Sequence, residues 1–163
     1  MINKLNETQV SIIIPMLNEE KYIGKCLMSL VNQDWEGPPI EVIVVDGLSK
    51  DRSQEIVEGF MSNFSRLRII ENPNRITPIS LNMGVKASTG EVIIILGAHS
   101  YVAEDFISKN LYYLNTMVVD CVGGSISPIG DTYQGDSIAL AMSSPIGVGN
   151  AFYRYSKVQR LVD

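Results

Sequence analysis

The sequence predicts an α/β protein, a mostly parallel sheet with helices on both faces. Two observations predict it. Short runs of consecutive apolar residues, many of them β-branched, recur at 10–15, 40–46, 67–70 and 92–96; runs without polar alternation mark strands buried on both faces. Between them lie segments whose apolar residues fall at helical spacing, so strand and helix alternate as β-α-β-α. The bulk numbers agree. A chain of 163 residues, 45% hydrophobic and 19% charged, suits one domain over 1–163 with a sizeable core. Its net charge of −5 argues against a nucleic-acid partner, which needs a basic face. The polar start MINKLNETQV lacks the apolar core of a signal peptide, and no apolar run approaches the ~18 residues of a membrane span.

The elements follow in order. VSIIIP, residues 10–15, is a strand closed by proline. MLNEEKYIGKCLMSLVNQ then places Ile23, Leu27, Leu30 and Val31 on one helical face, with Asn18 as N-cap and Glu19 and Glu20 favouring the first turn. IEVIVVD, 40–46, is the second strand. In the next helix Asp51 caps, Gln54 completes a capping box, and Ile56, Val57, Phe60 and Met61 form the buried stripe. LRII, 67–70, is the third strand. Thr77-Pro78 starts a helix that runs to about Ser88, with Gly90 as its C-cap. EVIIILGAHS, 91–100, holds the fourth strand, Val92 to Leu96. AEDFISKNLYYLNTM is a fourth helix with Asp105 near its start, and VVDCVGG a fifth strand with Asp120 at its edge. SIALAMSS is a short helix; the last twenty residues show no clear pattern. Cys26 and Cys121 lack metal-ligand spacing and are expected as reduced core residues.

Ligands of such sheets bind where strands end. That singles out Pro15 to Glu19, Asp46 to Asp51, Asn72 to Arg75, and Gly97 to His99. No GxGxxG, GxxxxGK[ST] or GxSxG stands at these places. Asp46 can accept hydrogen bonds from the ring N–H of a base, or serve only its turn, and Gly47 lets the backbone turn beside it. Glu19 suits ribose hydroxyls or simply a helix start. Arg75 suits a phosphate or a solvated loop.

The series VSIIIPMLNEEKYIGKCLMSLVNQ, IEVIVVDGLSKDRSQEIV and NPNRITPISLNMGVKASTGEVIIILGAHS resembles the start of a family 2 glycosyltransferase of GT-A fold, with its Rossmann-like nucleotide-binding half. More narrowly it is similar to the succinoglycan-type exopolysaccharide enzymes, through the Ala-His pair after the fourth strand, VGGSISPIG, and SSPIGVGNAFYR at 143–154. The motifs are weak singly and strong in this order, and they cover the chain from residue 9.

The resemblance implies a donor site for a nucleoside diphosphate sugar. Pro15, Leu17 and Glu19 would border base and ribose, Asp46 would contact the base, and Asn82 would lie near the nucleotide. The family's metal motif, Asp-x-Asp or in this subgroup Asp-Ala-His, falls on Gly97-Ala98-His99, with glycine in place of the first acid. Manganese and magnesium prefer oxygen ligands, so His99 remains as the metal-ligand candidate. Two routes stay open: a cation completed by the diphosphate, or stabilisation of the leaving group by Arg75 or a helix N-terminus. The resemblance also implies an acceptor half, with a general base in a Glu-Asp pair, beyond the end of this chain. The expected acceptor is a saccharide or lipid-linked glycan, and the setting cytoplasmic or peripheral at the inner face of the membrane. Apolar surface left by the missing half leads to an expected homo-oligomer. The rival is a truncated or degenerate domain that binds nucleotide without turnover, or serves as an interaction module. A nucleotidyltransferase fits poorly, because PMLNEE is neither glycine-rich nor basic.

Overall fold

The structure, a computed structural model, describes residues 7–117, 119–149 and 151–156. It forms two compact units, Met1–Thr116 and Met117–Asp163.

The first unit holds a four-stranded sheet of order β3-β2-β1-β4, with β1 Val10–Met16, β2 Glu41–Asp46, β3 Arg66–Glu71 and β4 Val92–Ile95. Every pairing is parallel, as the alternation with helices requires. Registers pair Ile13 with Ile43 and with Ile95. Because side chains alternate along a strand, one face carries Ile12, Ile14, Val42 and Val44 and the other Ile13, Ile43 and Val45. Helices α1 (Ile23–Val31), α2 (Ser53–Gly59) and α4 (Phe106–Thr116) bury Ile23, Leu27, Leu30, Val57, Ile107 and Leu111 against the first face. Helix α3 (Thr77–Ala87) lays Leu81, Met83 and Ala87 on the second. Its Gly84 allows the close approach, for a Cβ there would stand 2.4 Å from Ile13 Cγ2.

Several expectations are corrected. Asn18 is not an N-cap: α1 starts at Ile23, and the carbonyl of Glu19 accepts the N–H groups of Tyr22 and Ile23. Gln54 does not complete a capping box with Asp51 but donates to Asp46 Oδ2 at 3.0 Å. Met61 is exposed rather than part of the buried stripe of α2. Helix α3 ends before Ser88, and Gly90 serves instead where the chain crosses β1, since a Cβ there would meet the Ser11 nitrogen at 2.6 Å. Among the described residues β4 is an edge, not an interior strand, and Ile93 and Ile95 are 39% and 58% exposed. Residues 119–124 of VVDCVGG form no strand and Cys121 is exposed, because the segment pairs with no other strand among the described residues and has two glycines; Val118 lies outside the described residues, and Asp120 is exposed at a bend. Cys26 is fully buried as expected.

The second unit contains α5 (Tyr133–Met142) and the short α6 (Pro145–Val148), capped by Thr132 Oγ1 on the Gly135 N–H and Ser144 Oγ on the Gly147 N–H. Neither helix has a buried residue. The Ile126 N–H donates to the Tyr153 carbonyl. Asn150 of the SSPIGVGNAFYR motif is outside the described residues. No helix among the described residues is long and apolar enough to cross a membrane.

The amino end of the sheet is fastened by Glu41. Its carboxylate accepts from Ser11 Oγ (2.5 Å), the Thr89 N–H (2.8 Å) and Thr89 Oγ1 (3.2 Å), and pairs with Arg68 Nη2 at 3.0 Å. Burial alone would raise this carboxyl, but those donors and the Arg68 charge outweigh it and hold it below the usual glutamate range. A carboxyl lowered on folding stabilises above its unfolded pKa, about 4.3, and loses that contribution as pH falls through the folded value. The expected denaturation midpoint is therefore steady above about pH 5 and falls below about pH 4. Glu41→Gln should cost about 1.5–3 kcal/mol at pH 7 and flatten the acid fall; an equally steep fall in the variant would remove Glu41 from the explanation.

Candidate functional site

The strand order sets where a site lies. The chain builds β1, β2 and β3 in one direction, then returns across the sheet to place β4 on the other side of β1. In open sheets of this kind a ligand crevice is expected at the carboxyl ends of the strands on either side of that reversal, here β1 and β4.

The loop after β1 is tied to the loop after β2 by reciprocal bonds. The Asn18 N–H donates to Ser49 Oγ at 2.9 Å, and the Lys50 N–H donates to Asn18 Oδ1 at 2.8 Å. The Glu20 N–H donates to Asp51 Oδ2 at 3.0 Å, and the Arg52 N–H to Glu20 Oε2 at 3.1 Å. Between these pairs the Glu19 N–H donates to Ser53 Oγ at 2.7 Å. Asp51 Oδ1 accepts from both the N–H and the hydroxyl of Ser53. Burial would raise the Asp51 carboxyl, but the Ser53 hydroxyl and the Glu20 and Ser53 N–H groups hold it below the usual aspartate range.

Left-handed backbone marks the same rim. Asn18, Leu48 and Arg75, one after each of β1, β2 and β3, have φ of 54°, 60° and 57°. Asparagine tolerates this region, but a leucine there costs of order 1 kcal/mol or more and persists only where its surroundings hold it. Arg75 supplies part of that hold, since its Nη2 donates to the Leu48 carbonyl at 3.3 Å.

The residues singled out in the sequence fall into three groups. Pro15 is half-buried at the end of β1, Leu17 is 40% exposed beyond it, and Glu19, Arg75 and His99 open onto the rim. Asp46 and Ala98 turn inward. Asp46 is 0% exposed, with its carboxylate bonded to the Ser49 N–H (3.0 Å), Ser49 Oγ (2.5 Å) and Gln54 Nε2. Ala98 is 1% exposed and belongs to the apolar core. Gly47 donates its N–H to the Met16 carbonyl and packs against Leu17; the left-handed turn falls on Leu48 instead. Asn82 is exposed on α3 and joins none of the bonds among these loops.

The crevice itself is marked by one pair. His99 Nδ1 lies 3.3 Å from Glu19 Oε1, with side chains 68% and 22% exposed. Beneath them Cys26 Sγ donates to the Gly97 carbonyl at 3.8 Å. Burial, together with the Glu19 charge, pushes that thiol up to about 12, so it is a donor and not a thiolate at neutral pH. Among the described residues no three His, Cys, Asp or Glu side chains gather as a cation would need. One carboxylate and one imidazole are a thin set for a hard cation that takes six or more oxygens, and they do not by themselves fit a resident metal.

The roles of Ser49, Ser53 and Glu20 are not evident from the sequence. Asn-Glu-Glu facing Ser-Lys-Asp-Arg-Ser was the available signal, since these side chains bond backbone N–H groups readily. Nothing local in the sequence signals the backbone of Leu48.

A model of Glycosyl transferase family 2 matches residues 11–160, and the chain belongs to that family. A dolichyl N-acetyl-alpha-D-glucosaminyl phosphate 3-beta-D-2,3-diacetamido-2,3-dideoxy-beta-D-glucuronosyltransferase of Methanococcus voltae is 33% identical over 91% of this chain and 48% of its own length. A mannosyltransferase from Pyrobaculum calidifontis, solved with GDP-Man and Mn2+, shares 25% identity and a TM-score of 0.63 over 84% of this chain and 41% of that one. Residues 1–349 of TarS from S. aureus give 25% and 0.62 over 74% and 39%. The fold is therefore that of the GT-A glycosyltransferases. The chain spans about half the length of these relatives or less.

A Cβ at Gly97 would lie 3.3 Å from Ser100 Oγ and 3.5 Å from His99 Cε1, so an aspartate there stands beside the ring once the Ser100 hydroxyl gives by a few tenths of an ångström. Gly97→Asp should bring a second carboxylate to the Glu19–His99 pair and tighten Mn2+ binding at least about tenfold, as one added charged ligand commonly does. Calorimetry with Mn2+ alone reads this. Unchanged affinity would show that the position is not one where a cation could sit, and a gain that survives His99→Ala would remove His99 from the ligands.

Proposed function

We propose that this member of Glycosyl transferase family 2 is the nucleotide-sugar-binding portion of an inverting glycosyltransferase, with its donor site in the crevice between the loops after β1 and β4. The observation that carries the reading is the convergence at one rim of three left-handed non-glycine residues, Asn18, Leu48 and Arg75, with the Glu19–His99 pair. Backbone held in a costly conformation at a ligand-binding edge is a mark of function.

In this reading Pro15, Leu17 and Gly47 border the base, Glu19 takes ribose hydroxyls, and Arg75 faces the diphosphate. Asp46 is the base contact, reached by a turn of the Leu48–Lys50 segment that frees one of its lone pairs. Ala98 shapes the floor under the diphosphate, and Asn82 is the remaining nucleotide contact, from α3. An acceptor hydroxyl attacks the anomeric carbon as the bond to the diphosphate breaks, and its proton passes to a base outside this chain. The acceptor is a saccharide or, as the name of the Methanococcus voltae relative suggests, a sugar on a lipid phosphate. In this reading the protein works in the cytoplasm, or peripherally at the inner face of the membrane. His99 would hold manganese or magnesium only together with oxygens of the diphosphate, and the cation would neutralise charge on the leaving group; without a cation, Arg75 or a helix N-terminus would do so. The GDP-Man and Mn2+ of the mannosyltransferase support the donor class and the cation.

A second reading, nucleotide binding or an interaction role without turnover, is favoured by the same thin donor set at Gly97-Ala98-His99.

Titration calorimetry with UDP and GDP, each with and without Mn2+, tests the first reading. The unaltered chain should bind one of them, and Glu19→Ala should weaken it at least about tenfold, the effect of removing a hydrogen bond to a charged group. Asp46→Ala is less informative, because it also removes the buried anchor of the Ser49 turn. Binding of neither nucleotide would sink the first reading and leave of the second only the interaction role, and sugar transfer by this chain would sink the second and the placing of the base outside it.

The reading includes association of copies. The Val92 and Leu96 N–H groups point to β1, so those of Ile93 and Ile95 point away, beside exposed isoleucine side chains. β3, the other edge, carries Arg66 and Arg68, the usual protection of a true edge, whereas β4 carries no charge. Sedimentation equilibrium should show dimers or larger species at high concentration; a monomer throughout would remove this part.

A further inference from the structure

Resting on the donor-site reading, we infer that Ser29 of α1 and Gln33, just past the end of that helix, are positioning residues that hold His99 against Glu19. The loop from Gly97 to Asp105 has few hydrogen bonds of its own. Ser100 donates to the Gly97 carbonyl and Phe106 to the Ala103 carbonyl. Its other fastenings come from α1 and the segment that follows it, in ascending order. Cys26 Sγ donates to the Gly97 carbonyl, Ser29 Oγ accepts the Val102 N–H at 3.2 Å, and Gln33 Nε2 donates to the Ala103 carbonyl at 2.7 Å. Gln33 Oε1 accepts the Ile107 N–H at 3.0 Å, and the Asp34 N–H donates to the Glu104 carbonyl at 2.8 Å. Positions 26 and 29 are three apart and lie on one face of α1, and Gln33 and Asp34 follow in the segment after its C-cap Asn32.

His99 therefore sits on an arch between two anchors, Gly97 and Val102. Glu19 is referenced to the same helix, because its carbonyl accepts the first N–H groups of α1. The helix thus acts as a ruler. Its start holds the backbone of Glu19, and its polar side with the segment just past its end holds the loop that carries the imidazole. Gln33 suits the task because an amide donates and accepts at once: its nitrogen faces two carbonyls, those of Ser29 (3.0 Å) and Ala103, while its oxygen meets an N–H. A carboxylate of the same shape would keep the acceptor and set a charge against both carbonyls.

The chain has a single histidine, so its imidazole gives one set of ring resonances. With the other residues unaltered, Glu19→Gln should shift them, because the two side chains are in contact. In a Gln33→Glu or Ser29→Ala background the same change should shift them at least about two-fold less, because the loop no longer holds the ring at hydrogen-bond distance. A role in stability alone would lower the melting temperature and leave that response whole, so an undiminished response in both folded backgrounds overturns the inference. Should Gln33→Glu fail to fold, Ser29→Ala decides. UDP and GDP added to the same samples keep the two ideas apart. An unaltered chain that binds neither overturns the donor reading, while the ring response, read without nucleotide, still decides the role of α1.

Discussion

A carboxylate buried at the end of a central strand has to be given donors, and Asp46 is given three. Unsatisfied, it would cost several kcal/mol. Satisfied, it fixes the turn that follows, because two of the donors belong to Ser49. The Ser49 hydroxyl in turn accepts the Asn18 N–H, so the loop after β1 is set by the loop after β2. The backbone carries the order sideways: Gly47 donates to Met16 and Asn72 donates to the Asp46 carbonyl. Asn72, itself 0% exposed, bonds Ser80 and the Ile76 carbonyl and so seats the start of α3. Three loops and a helix end are thus arranged around one buried charge.

Much of this was legible from the residues. The uninterrupted runs SIII, VIVV and VIII made strands, and the 3.6-residue spacing of Ile23, Leu27 and Leu30 made α1 bury the face it does. The order of elements sufficed to place Glu19, Asp46, Arg75 and His99 at one end of the sheet. What was not legible depended on contacts distant in sequence. Asn18 has the chemistry of a cap, and whether it caps its own helix or meets Lys50 is decided by where β2 ends. VIIIL gave the same apolar signal as the interior strands, because a strand awaiting a neighbour looks in sequence like a strand that has one. VVDCVGG has residues that favour a strand but no partner to pair with, and propensity alone does not make a ladder.

The two ends of the sheet are built differently. At the amino end Glu41 gathers Ser11, Arg68 and Thr89 into a closed cluster, with Arg68 also donating to the Ala87 carbonyl. There the polar groups are spent on each other, and the exit of α3 is locked to β1. At the carboxyl end Glu19, Arg75 and His99 keep part of their surface open. Rigidity below and exposed chemistry above is the division a binding edge requires.

The separation of Glu19 and His99 along the chain has a consequence in time. They are 80 residues apart, and their contact crosses the point where the chain reverses its direction through the sheet. β1, β2 and β3 can assemble from successive neighbours, but β4 must return past all of them to reach β1, a closure whose entropy cost comes late. Closure entropy therefore weighs against the crevice forming ahead of the sheet that carries it. A ligand that spans it finds no partial version to bind in a half-folded chain. Its binding energy falls wholly on the native state, so occupancy and folding become one equilibrium.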